Sequence, residues 1–182
     1  RHAQGAGTPV PRSASSVPPA GLPDYAELRC VSTFSFLVGA SQPEELVERA
    51  HKQGYRSLAL TDECSVAGVV RAHVAAKKIG LKLLIGSQFS VAVPEPSCDD
   101  TPGPFSLGVL ACNLNGYGNL CEFITKLRRA SEKGTYHLNL GDIASDELAD
   151  CVVVASPVRG STDAQLVGLA RWLLTHFTGR CW

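Results

Sequence analysis

From Tyr25 to Trp182 the chain alternates short runs rich in β-branched, aromatic and aliphatic residues with amphipathic helical stretches. That alternation restricts it to a layered α/β architecture with a mainly parallel sheet or barrel. Tyr25–Cys30 reads as the first strand. Ser41-Gln-Pro-Glu44 then carries the marks of a helix start, with Ser41 as N-cap and Pro43 in the first turn. Leu46, Val47 and Ala50 form the inward stripe of this helix, and Gly54 supplies a left-handed stop. The unit repeats as strand Tyr55–Thr61, helix Val66–Ile79 and stop Gly80. A third strand, Leu81–Ile85, continues through Phe89–Val91, and a Pro-rich loop follows over 94–104. Strand Phe105–Ala111, a helix over Tyr117–Glu132 closed by Gly134, the apolar strand Cys151–Ala155 and a helix over Ala164–Phe177 complete the pattern. Residues 1–23, dominated by Pro, Gly, Ala and Ser, read as a flexible leader, because they offer too little apolar surface to offset the entropy of ordering. Arg180-Cys181-Trp182 looks like the opening of another strand. The sheet is therefore expected to be cut before a barrel closes, with the edge at Cys151–Ala155 bare.

Composition narrows the function. Lysine plus arginine equals aspartate plus glutamate at 17 each, so no global field draws nucleic acid or anionic membrane to the chain. No apolar run reaches the roughly 18 residues of a membrane span, and the first residues lack a signal-peptide core. The seven cysteines (30, 64, 98, 112, 121, 151 and 181) are odd in number and show no C-x-x-C spacing. Most sit in apolar runs, as expected of buried reduced thiols in the cytosol.

Parallel α/β folds gather ligands where strands end. The first such end is Leu28-Arg29-Cys30-Val31-Ser32, followed by Phe34-Ser-Phe-Leu37 and Gly39-Ala-Ser41. The second is Thr61-Asp-Glu-Cys-Ser65, followed by Ala67-Gly-Val-Val-Arg-Ala-His73. The third is Ile85-Gly-Ser-Gln88. Asp62 and Glu63 are adjacent on a strand and so point to opposite faces, which disfavours a shared acid/base role. Lys126, Arg128, Arg129 and Lys133 make a local basic cluster at a helix end. It reads first as a solvated face complementing the helix dipole, with Arg128 and Arg129 as weak candidates for nucleic-acid contact. Gly116-x-Gly118 before a helix is too short a pattern for a phosphate cradle and reads as a turn. His51 near a helix end and His73 among alanines read as surface or packing residues.

The three strand-end segments, in this order and spacing, resemble the start of a PHP (polymerase and histidinol phosphatase) domain. More narrowly, together with Gly116-Tyr-Gly-Asn-Leu-Cys121 and Phe177-Thr-Gly-Arg-Cys-Trp182, they are similar to the error-prone branch of the bacterial C-family DNA polymerases. The resemblance covers roughly residues 25–182. It implies an incomplete, distorted β/α barrel over 24–182, with a metal cluster at the strand ends in active members. Matched position by position, the family's His-x-His falls on Arg29 and Val31, its Asp-His on Asp62 and Glu63, and its glutamate on Gln88. Arginine cannot deprotonate to ligate a cation, valine has no donor atom, and glutamine brings no charge. Arg29 is accordingly expected to fill the emptied metal position and to pair with Asp62 or Glu63, and neither metal nor catalysis is expected of this segment.

The resemblance further implies a parent enzyme that extends DNA with Mg2+ in a palm domain located elsewhere, in damage-induced translesion synthesis and repair. Its partners would be the remainder of the polymerase chain, DNA through the parent, and other damage-response proteins. A free-standing PHP-type phosphoesterase and a degenerate protein-binding module are the alternatives.

Overall fold

The computed structural model describes residues 24–93 and 101–182; the leader and most of the Pro-rich loop of the sequence reading lie outside them. The elements follow in the order β1 (Ala26–Cys30), α1 (Pro43–Lys52), β2 (Ser57–Leu60), α2 (Val69–Ile79), β3 (Lys82–Val91), β4 (Phe105–Ala111), α3 (Leu114–Arg129), a short 3-10 turn (Leu140–Asp142), β5 (Cys151–Pro157) and α4 (Asp163–His176). The strands lie side by side in chain order. They make a curled five-stranded half-barrel, in keeping with the α/β class expected from the alternation.

The sheet changes character along β3. Its first half, Lys82–Ile85, pairs parallel with β2, while its second half, Gly86–Val91, pairs antiparallel with β4. β5 then runs antiparallel to β4. Gly86 sits at the changeover, where a Cβ would stand 2.5 Å from the Val109 carbonyl oxygen and 3.1 Å from Thr61 Cγ2. Only glycine lets the β3 and β4 backbones pass this closely beside the Thr61 side chain.

Two apolar clusters flank the sheet. Val47 and Ala50 of α1, Leu58 and Leu60 of β2, and Ala72 and Ala76 of α2 form one. All four residues of β2 are buried, as an inner parallel strand requires. The second cluster packs Phe89, Leu107, Val109 and Val153 against Leu120 and Phe123 of α3 and Phe177 after α4. Phe89 and Phe123 meet edge to face, ring centres 5.2 Å apart. Each such side chain contributes about 2–3 kcal/mol by leaving water. Strand alternation puts Gln88, Ser90, Ser106 and Ser156 on the face opposite this cluster.

The boundaries shift where local chemistry outweighs the pattern. Pro43 takes the first helical position of α1, so the cap is Gln42 rather than Ser41. Its backbone N–H donates to Glu45 (2.8 Å), not to Glu44. Glu44 instead pairs with Arg71 across to α2. Helix α2 starts at Val69 instead of Val66, because Cys64 takes a left-handed φ of 45° and Ser65 N–H is drawn to Ser87 Oγ (3.0 Å). Helix α3 starts at Leu114 because Asn113 Oδ1 accepts from Gly116 N–H (2.9 Å), and it ends at Arg129, well before Gly134. The Gly116-x-Gly118 pair therefore lies inside the helix. Gly54 and Gly80 do stop α1 and α2, with φ of 78° and 76°.

The expected bare edge at β5 is a correction. Arg180–Trp182 runs parallel to β5: Val153 and Ala155 donate to the carbonyls of Arg180 and Trp182 at 2.9 and 2.8 Å, and Trp182 N–H returns a bond to Val153 (3.0 Å). The Arg180 guanidinium locks this segment down by donating to the Leu148, Cys151 and Ser145 carbonyls while lying over the Phe177 ring.

Candidate functional site

Arg29 lies at the carboxyl end of β1 and Asp62 and Glu63 just beyond β2, as expected. Gln88 is not at a strand end, because β3 runs on to Val91 to pair with β4, and the structure does not join the four into one constellation. Arg29 points from β1 across the polar concave face of the half-barrel. Its guanidinium donates to Gln88 Oε1 (3.2 Å) on β3, to Ser106 Oγ (3.1 Å) on β4 and to Ser156 Oγ on β5. One side chain thus spans from the first strand to the fifth, which the curl of the sheet makes possible. The ion pair expected between Arg29 and Asp62 or Glu63 does not form: each carboxylate is claimed by nearer donors.

Asp62 is 1% exposed. Its Oδ1 accepts from the Ser32 backbone N–H (2.7 Å) and from Ser35 Oγ (2.8 Å), and its Oδ2 accepts from Ser32 Oγ (2.7 Å). A carboxylate buried this deeply needs such donors, and the turn after β1 supplies them. Glu63 turns the other way. Its Oε1 accepts from Tyr136 Oη, from Ser90 Oγ (3.1 Å) and from Ser90 N–H (3.2 Å). Burial, reinforced by the bond to Glu63, pushes the Tyr136 hydroxyl well above its ordinary pKa, so it stays protonated as a donor. Val31 offers no donor atom. Among the described residues, no group of three or more His, Cys, Asp or Glu side chains converges.

Arg128, a weak candidate for nucleic-acid contact, faces inward. It donates to the carbonyls of Cys64 (3.3 Å), Glu63 (3.3 Å) and Thr135 (3.2 Å) and lies over the Tyr136 ring. Arg129 is exposed, and Lys126 pairs with Glu147 at 2.5 Å. The six described cysteines are free, but their burial is less uniform than expected: Cys64 and Cys151 are buried, while Cys112 is exposed because it lies just beyond β4. Burial pushes the thiols of Cys30, Cys64 and Cys151 up to about 11, so they are poor nucleophiles at neutral pH. His73 is exposed on α2, and His51 lies in the last turn of α1. Among the described residues no helix is long and apolar enough to cross a membrane.

The serines at 32, 35, 106 and 156, which hold Asp62 and Arg29, are not among the site residues expected from the sequence. Two signals existed: the S-x-x-S spacing directly after the first strand end, and the isolated polar residue inside the apolar run Phe105-Ser-Leu107.

The family model for the PHP domain matches residues 27–163, more than half of the chain. The chain belongs to the PHP domain family. Among its relatives, error-prone DNA polymerases of Dechloromonas aromatica and Ralstonia nicotianae are each 50% identical to it, over 165 and 172 residues. These matches cover 88% and 89% of this chain but only 15% of either relative, so this PHP domain spans about a seventh of their length. A solved structure from Bifidobacterium adolescentis, assigned there as a metal-dependent phosphoesterase, superposes with a TM-score of 0.58. It is 17% identical and is matched over 86% of this chain and 76% of its own, a likeness of fold.

Proposed function

We propose that this PHP domain is a structural part of an error-prone DNA polymerase and cleaves no phosphoester itself. The observation that carries the reading is Arg29, a permanent cation held by three neutral acceptors on the concave face. The surrounding residues do not fit a divalent cation cluster. The guanidinium would repel the ions, Val31 has nothing to offer them, Asp62 has both oxygens occupied, and the Gln88 carbonyl already accepts from Arg29. What the arrangement does is tie β1 to β3, β4 and β5. In this reading DNA synthesis, with Mg2+, belongs to a palm domain elsewhere in the polymerase, in the cytoplasm, during damage-induced translesion synthesis and repair. The remainder of the polymerase chain is the first partner, and other damage-response proteins follow through the parent enzyme. Direct contact between this domain and DNA falls to Arg129, since the donors of Arg128 are spent inside.

The test is the complete polymerase carrying Arg29→Ala. Losing these half-buried bonds should cost about 1–2 kcal/mol, seen as a lower melting temperature, because no buried carboxylate is stranded. Primer extension per folded molecule, measured with Mg2+, should stay within about twofold. Extension lost at unchanged stability would place Arg29 in the chemistry and contradict the reading.

A further inference from the structure

The turn after β1 displays apolar side chains in a way the domain itself does not use. Phe36 is 84% exposed, Leu37 91% and Val38 69%, with Phe34 beside them at 39%. Exposed apolar residues scattered singly need no explanation, but four in five consecutive positions form a patch. Nor is this a slack loop that could fold its side chains away. Ser35, Val38 and Gly39 N–H groups are held by the Ser32 and Ser35 carbonyls at 2.9–3.0 Å, and Thr33 N–H closes the loop onto Ser41 at 2.9 Å. The Asp62 carboxylate fastens the base. Leu37 is held at a φ of 62°, a left-handed conformation that a branched apolar residue rarely adopts. The backbone is thus fixed in a form that aims Phe36 and Leu37 outward.

We infer that this turn is the docking point through which the PHP domain seats on an apolar surface of the polymerase body. The inference rests on the proposed function. Two observations choose this occupant. The relatives carry most of their length outside the segment matched here, so a domain of this kind has a large body in the same chain to pack against. The turn from Thr33 to Ser41 also contains no charged residue, which suits a permanent apolar contact between domains and not phosphate or a charged peptide. On its flank a cavity of about 330 Å3, lined by Phe34, Phe36 and Val38 with Glu63, Arg128 and Tyr136 at its polar side, is open to a side chain from the partner surface. Pre-organisation of the turn lowers the entropy lost on docking.

The experiment uses the complete polymerase. In a Phe36→Cys variant, the thiol at position 36 should react with a maleimide at least about tenfold more slowly in the native enzyme than after unfolding in urea. A Leu37→Asn variant keeps a residue that tolerates left-handed φ and removes only the apolar side chain. It should lower the melting temperature of the complete enzyme, whereas a purely local role for Leu37 would leave that temperature unchanged or raised. Labelling at position 36 as fast as in the unfolded chain overturns the inference. So does protection that vanishes on dilution together with a dimer in sedimentation, which would assign the turn to a second copy. Absence of primer extension by the unmodified complete enzyme would instead refute the proposed function, a separate readout from either accessibility or melting.

Discussion

Replacing Asp62 with alanine is expected to destabilise this PHP domain by about 4 kcal/mol, a large part of the 5–15 kcal/mol by which domains are ordinarily stable. Ser32 N–H, Ser32 Oγ and Ser35 Oγ all donate to this carboxylate, and Ser32, Ser35 and Asp62 are each no more than 2% exposed. With the acceptor gone, three buried donors lose their partner and the turn comes free of β2. The same substitution at Glu63, whose partners Ser90 and Tyr136 lie nearer solvent, should cost only about 1 kcal/mol. Urea unfolding followed by circular dichroism measures both. A loss below about 1 kcal/mol for Asp62→Ala would mean that the turn does not depend on this anchor.

Gly39→Ala should be nearly as damaging, for a steric reason. A Cβ at position 39 would lie 1.9 Å from the Ser32 carbonyl oxygen and 2.3 Å from its carbon, both backbone atoms that cannot rotate aside. The turn must shift, and in shifting it gives up the Ser32 and Ser35 bonds to Asp62. A loss of about 3 kcal/mol is expected, with faster proteolytic cleavage between Phe34 and Val38. Gly118→Ala is the control. It lies in the interior of α3 with nothing within 4 Å of the added carbon, so it should stabilise by about 0.5–1 kcal/mol. Equal melting temperatures for the Gly39→Ala chain and the unsubstituted one would contradict the packing described around Ser32.

The succession of strands and helices and the helix faces were legible because they rest on local pattern: the apolar run of β2, the stripe Val47 and Ala50, and the stops at Gly54 and Gly80 depend on neighbours in sequence. The shift of β3 from parallel to antiparallel pairing was not legible. It depends on the contact of Gly86 with Val109, residues far apart in the chain. The site divides in the same way. That Arg29, Val31, Asp62 and Glu63 stand at strand ends followed from spacing, but the extension of β3 past Gln88 and the partners of these side chains did not. Charge alone suggested that Arg29 would seek a carboxylate. In the fold, the curl of the sheet presents the arginine to Ser106 and Ser156, while the turn after β1 reaches Asp62 first. Ser156 lies 127 residues from Arg29, a separation that no local motif encodes.

In the function proposed above, Arg29 stands where a cation cluster would otherwise lie. Calorimetric titration of the purified chain with Mn2+ and with Zn2+, combined with elemental analysis of the protein as isolated, addresses it directly. The expected result is less than about 0.1 equivalent of either metal as isolated and no saturable binding in the micromolar range, since the proposed reading assigns the cluster positions to Arg29, Val31 and Gln88. Two tightly bound ions per chain would contradict the account and restore this PHP domain as a candidate metal-dependent phosphoesterase.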